Sequence, residues 1–133
     1  MTHRRWLAYL LLIAALAACQ KEERPPDINP LNTDQWRTSV LLHQGTDMSP
    51  SFALAILRFG REGQLIVRWP GTADTGTYLL TASGGRQYVL MQMREQGVVG
   101  LLNKNWELLE MSAERIRLQH TATGGTSVFT MVR

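Results

Sequence analysis

Few side chains of this chain could do chemistry, and they are scattered. One cysteine, Cys19, and three histidines occur in its 133 residues. The histidines of the folded part, His43 and His120, lack the close spacing of a metal site. Glu107 and Glu110 are three apart in a predicted strand, so strand alternation would point them to opposite faces and prevent them from acting as an acid and base pair. No serine lies in a nucleophile elbow. The pattern predicts no enzyme, no metal and no cofactor.

The residues before Cys19 have the layout of a secretion signal. Arg4 and Arg5 precede a run of 13 residues, 6–18, that contains no charge. A membrane span needs about 20 apolar residues, so this run is too short for a permanent transmembrane helix. We therefore expect residues 1–18 to be a cleaved signal peptide. Its last residues and the cysteine resemble the lipobox of bacterial lipoproteins: Leu16, Ala17, Ala18 and Cys19.

The lipobox resemblance implies that Cys19 carries a diacylglyceryl group and becomes the first residue of the mature chain. Two or three acyl chains together make a stable anchor, so the expected partner is a membrane. Because Cys19 is the only cysteine, its lipidation would leave no thiol for a disulfide, and the fold must depend on its core. Residues 20–23 resemble an export signal of outer-membrane lipoproteins. We expect an outer-membrane protein displayed at the cell surface; a periplasm-facing protein with a plain charged tether is the alternative.

Composition limits what the mature part can bind. Removing Arg4 and Arg5 from the 14 basic residues leaves 12, against 11 acidic ones. The two signs are interspersed and form no basic stripe, which argues against nucleic acid as a partner. Residues 19–34 contain three prolines and almost no large apolar side chain, so this segment is predicted to be an extended tether. The remaining residues, 35–133, are enough for one small domain.

Short apolar and β-branched runs alternate with turn residues throughout 35–133, which predicts an all-β fold. Strands are expected at 36–43, 53–59, 64–69, 75–81, 87–93, 101–111 with a break at 103–105, 115–120 and 126–132. Short connections rule out parallel neighbours and favour an antiparallel meander. Closure of eight such strands would remove exposed edges, so the prediction is an eight-stranded antiparallel barrel. A half-open β-sandwich is the alternative. Ile116, Leu118 and His120 are predicted to share the inward face of their strand.

Several stretches resemble the lipocalin-like lipoproteins of bacteria. Trp36 opens the first strand. Residues 57–64 form a hairpin in which a turn with an acidic residue and glycines joins two strands, and residues 76–78 have the strand pattern G-x-Y. The fourth feature is the pair of segments 106–111 and 112–118. The resemblance covers nearly all of residues 34–133 and implies a lipocalin-like barrel. That family has no shared catalytic residues. The long first connection, 44–51, departs from the family pattern.

Large aromatic and methionine side chains could line a pocket inside such a barrel, because methionine adapts to varied apolar ligands. They could equally fill the interior. The candidate pocket residues are Trp36, Trp69, Tyr78, Met91, Trp106, Leu118 and Phe129. Two candidate functions are consistent with these patterns. The first is a lipid-anchored barrel that binds a small apolar or amphipathic ligand. The second is a filled barrel that serves as an interaction module of a cell-envelope protein complex.

Overall fold

The computed structural model describes residues 30–32 and 35–133. These residues comprise the β-domain and a short segment that precedes it. The predicted signal peptide, the lipobox with Leu16, Ala17, Ala18 and Cys19, and the predicted export signal at 20–23 lie outside the described residues.

The described residues form nine β-strands and no α-helix. The strands are Gln35–His43 (β1), Thr46–Asp47 (β2), Ile56–Phe59 (β3), Gln64–Trp69 (β4), Thr72–Ser83 (β5), Arg86–Met93 (β6), Asn105–Met111 (β7), Arg115–Ala122 (β8) and Gly125–Val132 (β9). Three 3₁₀ segments accompany them, at Pro30–Asn32, Ser49–Phe52 and Val98–Leu102. The all-β prediction is confirmed.

The strands form a closed antiparallel barrel. From β3 to β9 each strand pairs with the next, β1 pairs with β3, and β1 also pairs with β9, which closes the sheet on itself. Eight strands make the barrel, while the two residues of β2 pair only with β1. The predicted eight-stranded antiparallel barrel is confirmed, and the half-open sandwich is wrong. Tight turns support the meander: Gly84 and Gly85, both with positive φ, form the two-residue β5–β6 turn.

Two predicted strands differ from the structure. The strand expected at 53–59 begins only at Ile56, because residues 53–55 form a turn that continues the 3₁₀ segment Ser49–Phe52. The Ala53 N–H donates to the Pro50 carbonyl and the Ala55 N–H to the Phe52 carbonyl. The run expected at 101–111 becomes a strand only at Asn105, since Val98–Leu102 is also a 3₁₀ segment. In the break between them, the Asn103 side chain accepts the Met93 N–H at 2.6 Å in place of a backbone ladder bond.

A bulge in β7 corrects the prediction for the two glutamates. The register of β7 against β8 shifts between Leu108 and Glu110. Glu107 therefore pairs with Gln119 and Glu110 with Arg117, two residues of β8 that share its outer face. The bulge adds one unpaired residue between the two glutamates, and this shifts the inward and outward alternation of side chains by one position. Both glutamates therefore lie on the outer face of the barrel and not on opposite faces.

Inward residues of the eight strands form one hydrophobic core. Ile116 and Leu118 are fully buried and His120 is half-buried, which confirms the predicted inward face of β8. Leu31 is also completely buried in this core, although it lies in the segment assigned to the tether by composition. We call the end of the barrel with the turns at 60–63, 84–85 and 112–114 the tether end, because Pro30–Asn32 contacts it. The opposite end carries 44–55, 70–71, 94–104 and 123–124.

Candidate functional site

The barrel interior, which is the candidate site from the sequence, is occupied by the protein's own side chains. Five of the seven candidate pocket residues are completely inaccessible to solvent: Trp36, Met91, Trp106, Leu118 and Phe129. Tyr78 retains 8% exposure at the tether end, and Trp69 is half-buried at the opposite end. The structure brings the five together in one continuous core, with Tyr78 inside the same cluster and Trp69 packed against it.

The indole N–H groups of the interior tryptophans have protein partners. Trp36 Nε1 donates to the Leu31 carbonyl at 3.2 Å, and Trp106 Nε1 donates to the Leu102 carbonyl at 2.9 Å. The Trp106 ring also packs against Phe129, with centroids 5.8 Å apart. These bonds satisfy the buried donors without a ligand.

Both ends of the barrel are covered by short 3₁₀ segments. At the opposite end, Ser49–Phe52 inserts Phe52, and Val98–Leu102 inserts Val99 and Leu102, all buried. Phe52 also packs against Trp69, with ring centroids 5.7 Å apart. At the tether end, Pro30–Asn32 inserts Leu31. A ligand entering the interior through either end would have to displace one of these segments.

A row of polar side chains on the inner wall was not predicted from the sequence. His120 pairs with Ser127 across β8 and β9. On β1, which pairs with β9, His43 lies beside Ser127, one position beyond the Leu42–Val128 pair. Only the strand register reveals this, since the two histidines are far apart in the sequence.

The row is not a catalytic triad. Ser127 is buried and its hydroxyl oxygen accepts the Gln44 N–H at 3.1 Å. His120 Nδ1 lies 3.1 Å from the Asn105 carbonyl oxygen. His43 Nδ1 is buried without a hydrogen-bond partner among the described residues. The same holds for Thr38 Oγ1, which lies nearer the start of β1. None of these hydrogen bonds joins a histidine to the Ser127 hydroxyl, and none joins a histidine to a carboxylate, as a catalytic triad would require.

Three groups near the barrel ends have shifted pKa values. Burial raises the pKa of the Tyr78 phenol, although its contact with Asn32 acts in the other direction. Burial lowers the pKa of Lys104, whose ammonium donates to the Leu101 carbonyl and lies 5.5 Å from the centre of the Trp106 ring. Hydrogen bonds from Ser49 lower the pKa of the exposed Asp47.

Several depressions on the outside of the barrel could take a ligand or a peptide, and two of them bear on the candidate functions. One, of about 660 Å³, lies at the tether end, and its lining includes Asn32, Leu79 and Leu80. The other, of about 560 Å³, lies on the outside of the contact between β6 and residues 103–105, and it borders Met91 and Met93. Both are open to solvent.

Five large apolar side chains are exposed among the described residues: Leu54, Leu79, Leu80, Val98 and Leu109. Leu54 and Val98 lie in the segments at the opposite end. Leu79, Leu80 and Leu109 lie near the tether end, on β5 and β7. The apolar surface is thus divided between the two ends of the barrel.

Comparison with known proteins does not assign the chain to a family: no protein-family model and no curated protein matches it. Within residues 30–32 and 35–133, no three or more histidine, cysteine, aspartate or glutamate side chains are grouped as metal ligands. In the same part of the chain, no helix has the length and apolar character that a membrane crossing requires.

Proposed function

We propose that this protein is an outer-membrane lipoprotein anchored through Cys19, and that its lipocalin-like barrel is a rigid interaction module of a cell-envelope protein complex. The observation that supports this most directly is the packed interior. The side chains expected to line a pocket instead fill the barrel, and segments of the chain itself cover both ends. A filled barrel offers partners its outer surface.

The opposite end of the barrel is the face that this proposal assigns to a protein partner. It carries the exposed Leu54, in the connection that follows Ser49–Phe52, and the exposed Val98, in Val98–Leu102. Exposed apolar side chains of this kind commonly mark interaction sites. A tether attached at the other end would leave this face directed away from the membrane.

Site-specific photo-crosslinking in intact cells tests the proposal. A photoreactive residue at position 54 or 98 should give one discrete adduct with the same partner. The matched control places it at Thr123, in the β8–β9 turn of the same end, where no large apolar side chain is exposed. Adducts that are equally diffuse at all three positions would contradict the proposal.

The membrane anchor needs its own test. A Cys19→Ala variant should lose incorporation of a labelled fatty acid and should leave the membrane fraction. If the variant remains in that fraction and the wild-type protein takes up no label, lipidation of Cys19 is refuted. Protease treatment of intact cells would then distinguish surface display from a periplasm-facing orientation.

Binding of a small apolar or amphipathic ligand is the second candidate function. It is favoured by the depression beside β6, which is open to solvent and borders the adaptable side chains of Met91 and Met93. Native mass spectrometry of the mature protein released gently from its membrane tests it. A bound species of constant mass that is lost in Met93→Trp, a variant that enlarges one side chain in the lining of this depression, would support ligand binding. A ligand-free spectrum would count against it.

A further inference from the structure

The chain enters the barrel at a fixed point of the tether end. Leu31 is buried in the core, and Asn32 Oδ1 lies 2.6 Å from the Tyr78 hydroxyl, which also contacts the Gly60 carbonyl. Any anchor at Cys19 is connected through this point. The 11 residues from Cys19 to Asn29 can span at most about 40 Å when fully extended.

Exposed leucines lie next to this point of entry. The last bond from β5 to the β3–β4 turn runs from the Tyr78 N–H to the Gly63 carbonyl. Beyond it, residues 79–83 of β5 rise past that turn, and all five are exposed. Leu79 and Leu80 are 57% and 42% exposed, and both border the same depression as Asn32. Leu109, near the end of β7, is 46% exposed.

Charged residues around these leucines largely balance one another. Arg86 Nη1 lies 3.4 Å from Glu107 Oε1, and Arg61 is followed by Glu62 in the β3–β4 turn. The tether end also carries Arg58 and Arg115 and, against them, Glu110 and Glu114. It therefore has apolar side chains and no strong net charge. Such a surface gains free energy by burying apolar area and gains little from attraction to anionic headgroups.

We propose that the tether end of the barrel rests on the lipid bilayer, with Leu79 and Leu80, at the base of the projecting β5–β6 hairpin, and Leu109 in contact with the headgroup region. The inference rests on the proposed anchor at Cys19. Because the tether spans at most about 40 Å, the tether end of the barrel stays at high effective concentration beside the membrane. Weak apolar contacts are then sufficient to orient the domain. The occupant is a lipid surface because Leu79 and Leu80 border the same depression as Asn32, where the tether joins the barrel.

The absence of any cysteine other than Cys19 makes a clean experiment possible. Once the thiol of Cys19 carries lipid, a cysteine introduced at Leu80 is the only one that can be labelled. The mature lipoprotein with Leu80→Cys is labelled with an environment-sensitive fluorophore and reconstituted into phosphatidylethanolamine and phosphatidylglycerol vesicles. The control is Leu54→Cys, which replaces a leucine that is 66% exposed at the opposite end.

We expect the emission of the label at position 80 to shift to shorter wavelength on reconstitution, and a lipid-attached quencher to reduce it. Neither change is expected at position 54, and added salt should leave the signal at 80 in place. Equal signals at both positions, or no signal at 80, would overturn the proposal. A signal at 80 that requires high protein density and resists the lipid quencher would indicate pairing of β5 edges between two copies instead, which also overturns it.

Flotation of the same vesicles separates the two hypotheses. If the protein does not float, the anchor at Cys19 has failed. If it floats and position 80 stays in water, only the bilayer contact has failed. A Leu79→Ser and Leu80→Ser variant that still floats should restore free tumbling, which time-resolved anisotropy of a label at position 54 would detect.

Discussion

The Tyr78 hydroxyl and the Asn32 side chain join the barrel to the segment that precedes it. Tyr78 Oη lies 2.6 Å from Asn32 Oδ1 and 2.5 Å from the Gly60 carbonyl oxygen. One phenol thus connects Pro30–Asn32, the β3–β4 turn and β5. The Tyr78 ring also packs edge to face against Phe59, with centroids 5.1 Å apart. The position where the tether meets the barrel is therefore fixed by specific contacts.

Replacing Tyr78 by phenylalanine should lower the free energy of unfolding by about 1–3 kcal/mol, because the phenol proton that Asn32 Oδ1 and the Gly60 carbonyl share is lost while the ring packing is retained. Urea denaturation measures this. Tyr88→Phe is the matched control, since the Tyr88 hydroxyl has no hydrogen-bond partner among the described residues and its loss should change stability by less than about 0.5 kcal/mol. Equal losses in the two variants would contradict the role of the Tyr78 hydroxyl.

The same phenol should give the barrel an alkaline limit. Burial raises the pKa of Tyr78 above its ordinary value of 10.0, so the folded state holds the proton more tightly than the unfolded state. Its contribution is complete below pH 10.0 and is lost as the pH rises through the folded pKa. The stability difference between wild type and Tyr78→Phe should be constant near neutral pH and shrink at alkaline pH. A difference independent of pH would refute this explanation.

Gly76 lies where the backbones of β5 and β6 leave no room for a side chain. A Cβ atom there would come within 2.7 Å of Met93 Cα and closer still to the Gln92 carbonyl oxygen. Because both obstacles are backbone atoms, Gly76→Ala should force β5 away from β6 and destabilise the barrel by several kcal/mol, on the order of 3. Thermal unfolding measures this. Gly100→Ala is the control, because its nearest atom is 3.8 Å away, and it should leave the melting temperature nearly unchanged.

Strand alternation and turn residues predicted the antiparallel strands, and the removal of exposed edges favoured the closed barrel over a half-open sandwich, as the structure shows. Ile116 and Leu118 alternate with charged neighbours, and the paired glycines at 84 and 85 mark a two-residue turn. The 3₁₀ segments at the opposite end were not predicted, because an apolar run such as Val98–Leu102 has the same composition as a buried strand. Pro50 was the one local signal against a strand near residue 53.

The bulge in β7 and the polar row could not be predicted from periodicity. A bulge at Leu109 changes which face each later residue occupies, and nothing in the residue types around it differs from regular strand. The neighbourhood of His43, Ser127 and His120 depends on the pairing of β1 with β9, which joins the two ends of the domain. Closure was expected, but the register of the closing pair was not accessible from the sequence.

The packing of the interior can be measured by creating a cavity. Phe129 is completely buried against Trp106, so Phe129→Ala should lower the free energy of unfolding by about 3–5 kcal/mol, because the aromatic contacts are lost and the core cannot fully collapse. Leu54→Ala is the control at an exposed site and should cost about 0.5 kcal/mol or less.

The same two variants distinguish a filled barrel from one that already holds a pocket. In a filled barrel only Phe129→Ala should gain stability from a small apolar compound such as benzene, since an apolar cavity of this kind stays dry and can accept one. Stabilisation of the wild-type protein by the same compound would reveal a pre-existing pocket and favour ligand binding. A loss below about 1 kcal/mol in Phe129→Ala would show a loosely packed interior and contradict the filled barrel.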